Sequence, residues 1–176
     1  MPAHNGQLTT PPTPSSTDDL TLSRERTKNP VNDFLDRTHP RGGVPGWKAC
    51  FGARYESHLV AVIVLSRPSS RHLDDDTRVE ISRFARRDDR PANTGSWLIA
   101  RARNWARLEG YDEVITYAGV AGNTGQLYQA AGFECDDITT ADGGGWSTHG
   151  PDRDQWADYQ RRRYRYEFGE QVARIG

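Results

Sequence analysis

The sequence predicts an α+β domain in which a central sheet is flanked by helices, and three observations predict it. The first half carries three consecutive strand-like apolar runs, the apolar period turns helical after Ser96, and strand-like and helical segments alternate from there. No internal repeat is visible. The expected organisation is a disordered tail over residues 1–22, rich in Pro2, Pro11, Pro12 and Pro14, followed by one domain over 23–176.

Taken in order, Asn29-Pro30 reads as a helix start, with Asn29 able to cap and the Pro30 ring already at a helical φ. Val31, Phe34 and Leu35 give that helix its buried stripe, and it should stop at His39, before Pro40. RGGVPG (41–46) is a loop, and residues 47–55 alternate as a strand that turns through Glu56-Ser57 into the run 59–66. That run is apolar on both faces and belongs in mid-sheet. Residues 67–77 are polar and loop-like, and 78–86 form a third strand, so the three make an antiparallel meander.

The helix from Ser96 to Glu109 has Leu98, Ala102, Trp105 and Leu108 at helical spacing and Gly110 to end it. Residues 111–118 read as the next strand, 124–131 as a short helix closed by Gly132, and Phe133 onward as a strand entry. In the segment 159–168, Arg162, Tyr164, Tyr166 and Phe168 alternate with Arg161, Arg163 and Arg165.

With 176 residues, 35% of them hydrophobic, the chain is long enough for a real core. No apolar run approaches the roughly 18 residues of a membrane span, and the start lacks the basic-then-apolar order of a secretory signal, so a cytosolic or virion-internal location is the expectation. Cys50 and Cys135 are too few for a metal set or a disulfide framework and read as buried thiols; no metal is expected. A net charge of −1 argues against bulk electrostatic binding of nucleic acid. Charge is nevertheless segregated: seven arginines against Asp88 and Asp89 give +5 over 83–107, and seven acids against Arg153 give −6 over 134–158. Such asymmetry is either a local binding patch or a solvated surface.

The most informative segment is Arg90-Pro91-Ala92-Asn93-Thr94-Gly95-Ser96, at a strand-to-helix junction. Small residues there expose backbone N–H groups at a helix N-terminus, which favours an anion; the alternative is a plain capped helix start, with Thr94 the cap and Arg90 solvated. Arg90-x-x-Asn93-x-Gly95 resembles the pyrophosphate loop of the GNAT N-acyltransferases, with Asn93 in place of the first glycine. Downstream, Gly125 to Phe133 is similar to the Y-x-x-x-G-F segment of the same superfamily. The resemblance covers roughly residues 29–168. It implies a GNAT fold, a mixed central sheet with antiparallel N-terminal strands and a parallel pair at its centre, and transferase activity with acetyl-CoA or another acyl-CoA as donor.

A narrower likeness joins Val79 to Arg83, Pro91-x-Asn93-x-x-Ser96-Trp97, Ile115-Thr116-Tyr117, Gly125 to Gly132 and Gly143 to Trp146 to the Mom DNA-modification proteins of bacteriophages and their GNAT-like relatives. It implies modification of the N6 amine of adenine in DNA, which shields phage DNA from restriction, and it leaves the donor open because Mom proteins install a carbamoylmethyl group. DNA is then the expected partner. A conventional acetyltransferase for a small amine or a protein lysine, and a non-catalytic GNAT-like binding module, are the rivals.

The resemblance implies roles for Tyr128, Glu80 and the donor-binding residues, and the placement of the other candidates in loops and on a strand suggests theirs. Tyr128 would protonate the departing thiolate, or else is a core tyrosine. Glu80 would take the proton of the amine, and Arg83 would pair with it if a bulge brought the two to one face; a structural salt bridge is the alternative. The donor would be held by Phe84, whose strand amides polarise the thioester, and by Arg90, Asn93, Thr94, Gly95 and Ser96. His39, Arg71, Tyr117 and Trp146 would contact substrate, Trp146 by stacking on an extruded base. Both His39 and Arg71 also read as solvated loop residues, and Trp146 as packed on the domain. Arg161, Arg163 and Arg165 would track a phosphate backbone unless acids of 134–158 neutralise them.

Overall fold

The computed structural model describes residues 10–119, 124–140 and 160–169. In chain order the elements are β1 (Thr21–Arg24), α1 (Lys28–Thr38), β2 (Ala49–Tyr55), β3 (His58–Ser66), β4 (Arg78–Arg86), α2 (Thr94–Leu108), β5 (Glu113–Ala118), α3 (Gln126–Ala130), β6 (Glu134–Thr140) and β7 (Gln160–Glu167). The strands form one sheet in the order β1-β2-β3-β4-β5-β7-β6. Only β4 and β5 run parallel; every other pair is antiparallel. This is the expected α+β layering.

Two apolar cores sit on the two faces. Val31, Phe34 and Leu35 of α1 pack against Cys50, Val62, Val64 and Ala85. On the other face Leu98, Ile99, Ala102 and Ala106 of α2 pack against Ala61, Ile63, Leu65, Val79 and Ile81. The expected mid-sheet strand is confirmed, because residues 60–65 of β3 are fully buried and from Ala61 to Leu65 the two cores take alternate ones. The stripe of α2 is rotated from the expected one: Trp105 is only partly buried and Leu108 is 57% exposed.

Several boundaries differ for local reasons. The N-cap of α1 is Thr27, without a side-chain bond, and Pro30 stands third in the helix, where its missing N–H has no intrahelical acceptor to lose. The helix ends at His39 as expected. Thr94 does not cap α2 but is its first residue: Asn93 caps it from a left-handed conformation, φ +67°, and the Thr94 hydroxyl donates to the Pro91 carbonyl at 2.7 Å. Cys135 is exposed, against the expectation of two buried thiols, whereas burial pushes the Cys50 thiol up to about 12.

The described part of the expected tail is structured. Ser16 caps a 3-10 turn at Thr17–Asp19, the Thr13 hydroxyl donates to Asp89 at 2.9 Å, and Thr21–Arg24 adds an edge strand to β2. A buried carboxylate helps to hold that edge: Glu25 accepts from Arg54 Nε at 2.7 Å and from its other nitrogen at 2.9 Å.

At the β2–β3 hairpin, Glu56 and Ser57 both have positive φ, +45° and +70°. That is the backbone of a two-residue turn suited to Asn-Gly. Replacing Glu56-Ser57 by Asn-Gly should raise stability by about 1 kcal/mol, because a left-handed conformation costs ordinary side chains that much; urea unfolding of the two chains measures it.

Candidate active site

The site begins with one extra residue in β4. Val64 lies opposite Arg83 and Leu65 opposite Ile81, so Ser82 has no partner on β3. The bulge shifts the alternation by one, which puts Val79, Ile81 and Phe84 on the α2 face and Glu80, Arg83 and Ala85 on the α1 face. The pairing of β4 with β5 stops at the same place. It runs from Arg78↔Glu113 to Ile81↔Thr116 and ends where the Thr116 hydroxyl donates to the Ile81 carbonyl at 3.1 Å. Beyond it β4 stays with β3 while Tyr117 and Ala118 of β5 pair with β7, and the two strands part.

The parting opens a cavity of about 340 Å³ lined by residues from both faces, including His39, Glu80, Phe84, Arg86, Tyr117 and Tyr128. The Arg87 N–H bonds back to the Val60 carbonyl at 2.8 Å. Alternation from there turns the N–H groups of Phe84 and Arg86 away from β3, toward the parted side. Inside the sheet this is an edge without a partner strand.

Beside the cavity, where its lining residue Arg86 packs on Gly95, the N-terminus of α2 suits an anion, although Asn93, Thr94, Gly95 and Ser96 do not themselves line the cavity. Among the described residues no backbone or side-chain acceptor takes the N–H groups of Gly95 and Ser96; the first α2 amide with a full helical bond is that of Trp97, to the Asn93 carbonyl at 2.9 Å. Arg86 packs against Gly95 so closely that a Cβ there would lie 2.9 Å from its guanidinium. Burial, and then the neighbouring Arg90, lower the hold of Arg86 on its proton, and both arginines line the cavity. Asn93 explains itself: Asn is among the few non-glycine residues that tolerate the left-handed turn.

At the other side of the notch Tyr128 enters from α3, buried against Phe133 and Tyr164. Burial raises the pKa of its phenol, which the neighbouring Thr116 hydroxyl and Arg86 only partly oppose, so it stays a proton donor. Gly125, which starts this short helix at φ +78°, has no room for a side chain, because a Cβ would run into the Tyr164 ring. Tyr128 is a core tyrosine that also contributes to the cavity lining.

Glu80 is buried and accepts hydrogen bonds from the Ser69 N–H at 2.7 Å and the Ser69 hydroxyl at 3.3 Å. The expected pairing with Arg83 is not formed, although the bulge does bring both to one face. Arg83 donates instead to the Gly42 carbonyl at 3.0 Å and the Ser82 carbonyl at 2.7 Å.

His39 lines the cavity and is not a solvated loop residue. Its pKa is lowered to about 4 by burial and by Arg83 and Arg41. Nδ1 accepts from the Arg41 N–H at 3.0 Å, so the neutral ring carries its proton on Nε2. Tyr117 also lines the cavity, its pKa raised by burial and by Glu80, with Arg161 stacked 3.8 Å over its ring. Arg71 is exposed in the 67–77 loop and does not line the cavity. Trp146 lies outside the described residues.

The β7 arginines do not form a free cationic stripe. Arg163 pairs with Asp136 at 2.8 Å, and Arg165 pairs with Glu167 at 3.1 Å and approaches Asp136 at 3.8 Å. Sequence reasoning missed Arg86, Ser69 and Ser82. The signal for Ser82 was present: apolar residues at 79, 81 and 84 on one face require a one-residue slip.

No family model matches the sequence, and no curated protein is similar to it. Solved structures are, in fold. An acetyltransferase from Bacillus subtilis in complex with CoA superposes at a TM-score of 0.60 with 19% identity, over 85% of this chain and 99% of that one. A GNAT family acetyltransferase from Elizabethkingia anophelis with acetyl-CoA bound gives 0.60 and 19%, over 86% and 99%. The ribosomal-protein-S18-alanine N-acetyltransferase from Escherichia coli gives 0.63 and 11%, over 89% and 99%. The chain has the fold of the GNAT acetyltransferases. Among the described residues, no helix is long and apolar enough to cross a membrane.

The His39 environment has a measurable consequence. The unfolded chain takes up this proton near pH 6.5, while the folded chain declines it until about 4. The unfolded state thus binds more protons in that window, and His39 makes stability fall as pH drops from 6.5 toward 4. Urea unfolding at pH 4.5 and 7.5 should show a smaller loss in the His39→Gln variant than in the parent chain.

Proposed function

We propose that the protein is an N-acyltransferase that moves an acyl group from an acyl-CoA, acetyl-CoA foremost, to a primary amine. The observation that carries this is the parting of β4 and β5, which brings Glu80 and Tyr128 onto one cavity whose lining residue Arg86 packs against Gly95 at the N-terminus of α2. The solved structures with CoA or acetyl-CoA bound support the donor.

The residues present fit such a donor. The N–H groups of Gly95 and Ser96, with Arg86 and Arg90, suit a pyrophosphate, while the unpaired Phe84 and Arg86 amides suit an extended amide chain laid along β4. When bound, acetyl-CoA supplies an activated acyl group as a thioester. Glu80 accepts the proton that leaves the attacking amine, directly or through water, as the new C–N bond forms. The Phe84 amide donates to the carbonyl oxygen on which charge gathers. Tyr128 holds a proton for the sulfur, which leaves as the C–S bond breaks.

The same reasoning weakens the DNA-modifying reading. The similar structures reported above are acetyltransferases, and two of the three β7 arginines meant for a phosphate backbone are held by carboxylates. The conventional acetyltransferase, first weighed as a rival, is the better-supported activity.

Calorimetric titration should show acetyl-CoA binding, and a thiol-release assay should show turnover that depends on an added amine. Tyr128→Phe should lower kcat on the order of a hundredfold while leaving acetyl-CoA affinity within about twofold. Full turnover by both Tyr128→Phe and Glu80→Gln would sink the assignment.

A further inference from the structure

Beyond the donor cavity lies a second recess of about 540 Å³ that shares Arg41, Glu80, Ser82, Tyr117 and Arg161 with it. It is the side from which an acceptor would reach Glu80. Four arginines line it, Arg41, Arg67, Arg83 and Arg161, against one carboxylate, that of Glu80. Arg67 is neutralised by Asp74 at 2.6 Å. Among the described residues no carboxylate pairs with Arg41, Arg83 or Arg161.

Arg83 matters most. It is half-buried, and among the described residues its bonds go to two neutral carbonyls and no carboxylate is in salt-bridge contact with it, so part of its guanidinium is left for a further acceptor. Burial and then the nearby Arg41 act against its charge, and Glu80 offsets them only in part. Cations gathered in a recess that hold more charge than its one carboxylate can balance favour an anion from outside. Glu80 cannot serve, because its carboxylate is committed to Ser69 and has the amine's proton to take. His39 adds a neutral Nε2–H donor beside the same arginines.

We propose that the acceptor is a small primary amine that carries an anionic group, a carboxylate or a phosphate, a few bonds from its nitrogen. The anion lies on Arg83, with Arg41 and His39 beside it, and the nitrogen faces Glu80. The bulge makes this spacing: it brings Glu80 and Arg83 to one face, about 7 Å apart if they stand as successive same-face positions of an extended strand. An amino acid or an amino phosphate spans that. A nucleic acid fits less well, because its affinity grows with the number of phosphates neutralised, and Arg163 and Arg165, which would extend a track outward, are already paired.

The proposal rests on the acyltransferase reading, and the test separates the two. Thiol release from acetyl-CoA by the full chain is measured with amino acids against their amino alcohols, with O-phosphoethanolamine against ethanolamine, and with duplex DNA. The anionic member of a pair should be preferred at least tenfold in kcat/KM, and the pair that shows it tells carboxylate from phosphate. Arg83→Met should collapse that ratio toward one through KM. Arg41→Met, at an exposed position where folding is not at risk, should reduce it in part.

Turnover with equal preference, or with the uncharged member or DNA preferred, overturns the anionic acceptor and leaves the acyltransferase standing. Calorimetry of the same amino acids and of O-phosphoethanolamine without donor gives the converse: binding lost in Arg83→Met, on a chain that does not bind acetyl-CoA, keeps the anion pocket and removes the acyltransferase. Neither turnover preference nor Arg83-dependent binding overturns the proposal.

Discussion

One unpaired residue, Ser82, shapes the site. Because it has no partner on β3, β4 turns by one position and leaves β5 after Ile81. A central sheet normally satisfies every amide through its neighbours, and a gap within it would leave buried polar groups without partners. Here the gap is lined by groups that tolerate water or a ligand: the strand amides of β4, the Tyr128 phenol, the Glu80 carboxylate and several arginines. The rest of the fold secures the two strands on either side. Residues 60–65 of β3 anchor one, and β7 anchors the other along the whole of β5.

The same displacement arranges the chemistry. Glu80 comes from the face covered by α1, and Tyr128 from the face covered by α2 and α3; only an opening through the sheet lets them meet one cavity. A base on one side and an acid on the other is what transfer between an amine and a thioester requires, since one proton is lost where the bond forms and another is gained where it breaks. Both groups are held by neighbours that fix them, Glu80 by Ser69 and Tyr128 by the Phe133 and Tyr164 rings. Electrostatics follows the same division, with Arg86 and Arg90 on the cavity, Arg83 on the recess beyond it and Arg41 on both.

Much of the fold was legible because strong periodic signals carry it. β4 has the expected bounds at Arg78 and Arg86, and the turn at Glu56-Ser57 falls where the two runs meet. β1 was not legible: its four residues are mostly exposed, and a contact between Glu25 and Arg54, 29 positions apart, helps to fix it. Cys135 and Leu108 misled for a related reason. Each is apolar enough for a core, yet the face it occupies is set by neighbours distant in sequence.

The sequence by itself determined which residues can do chemistry and where helices and strands run, because backbone propensity, turn chemistry and apolar period are local properties. It contained the arginines without telling which are spent: Arg163 and Arg165 read the same as Arg41 and Arg83 until the fold pairs the first two with carboxylates and leaves the others facing a recess. It also held Glu80 and Arg83 in plain view, yet their separate partners depend on the loops 39–46 and 67–77 lying over β4. Charge and hydrogen bonding act through space at a few ångströms, so only the tertiary structure decides which groups are satisfied and which remain for a ligand.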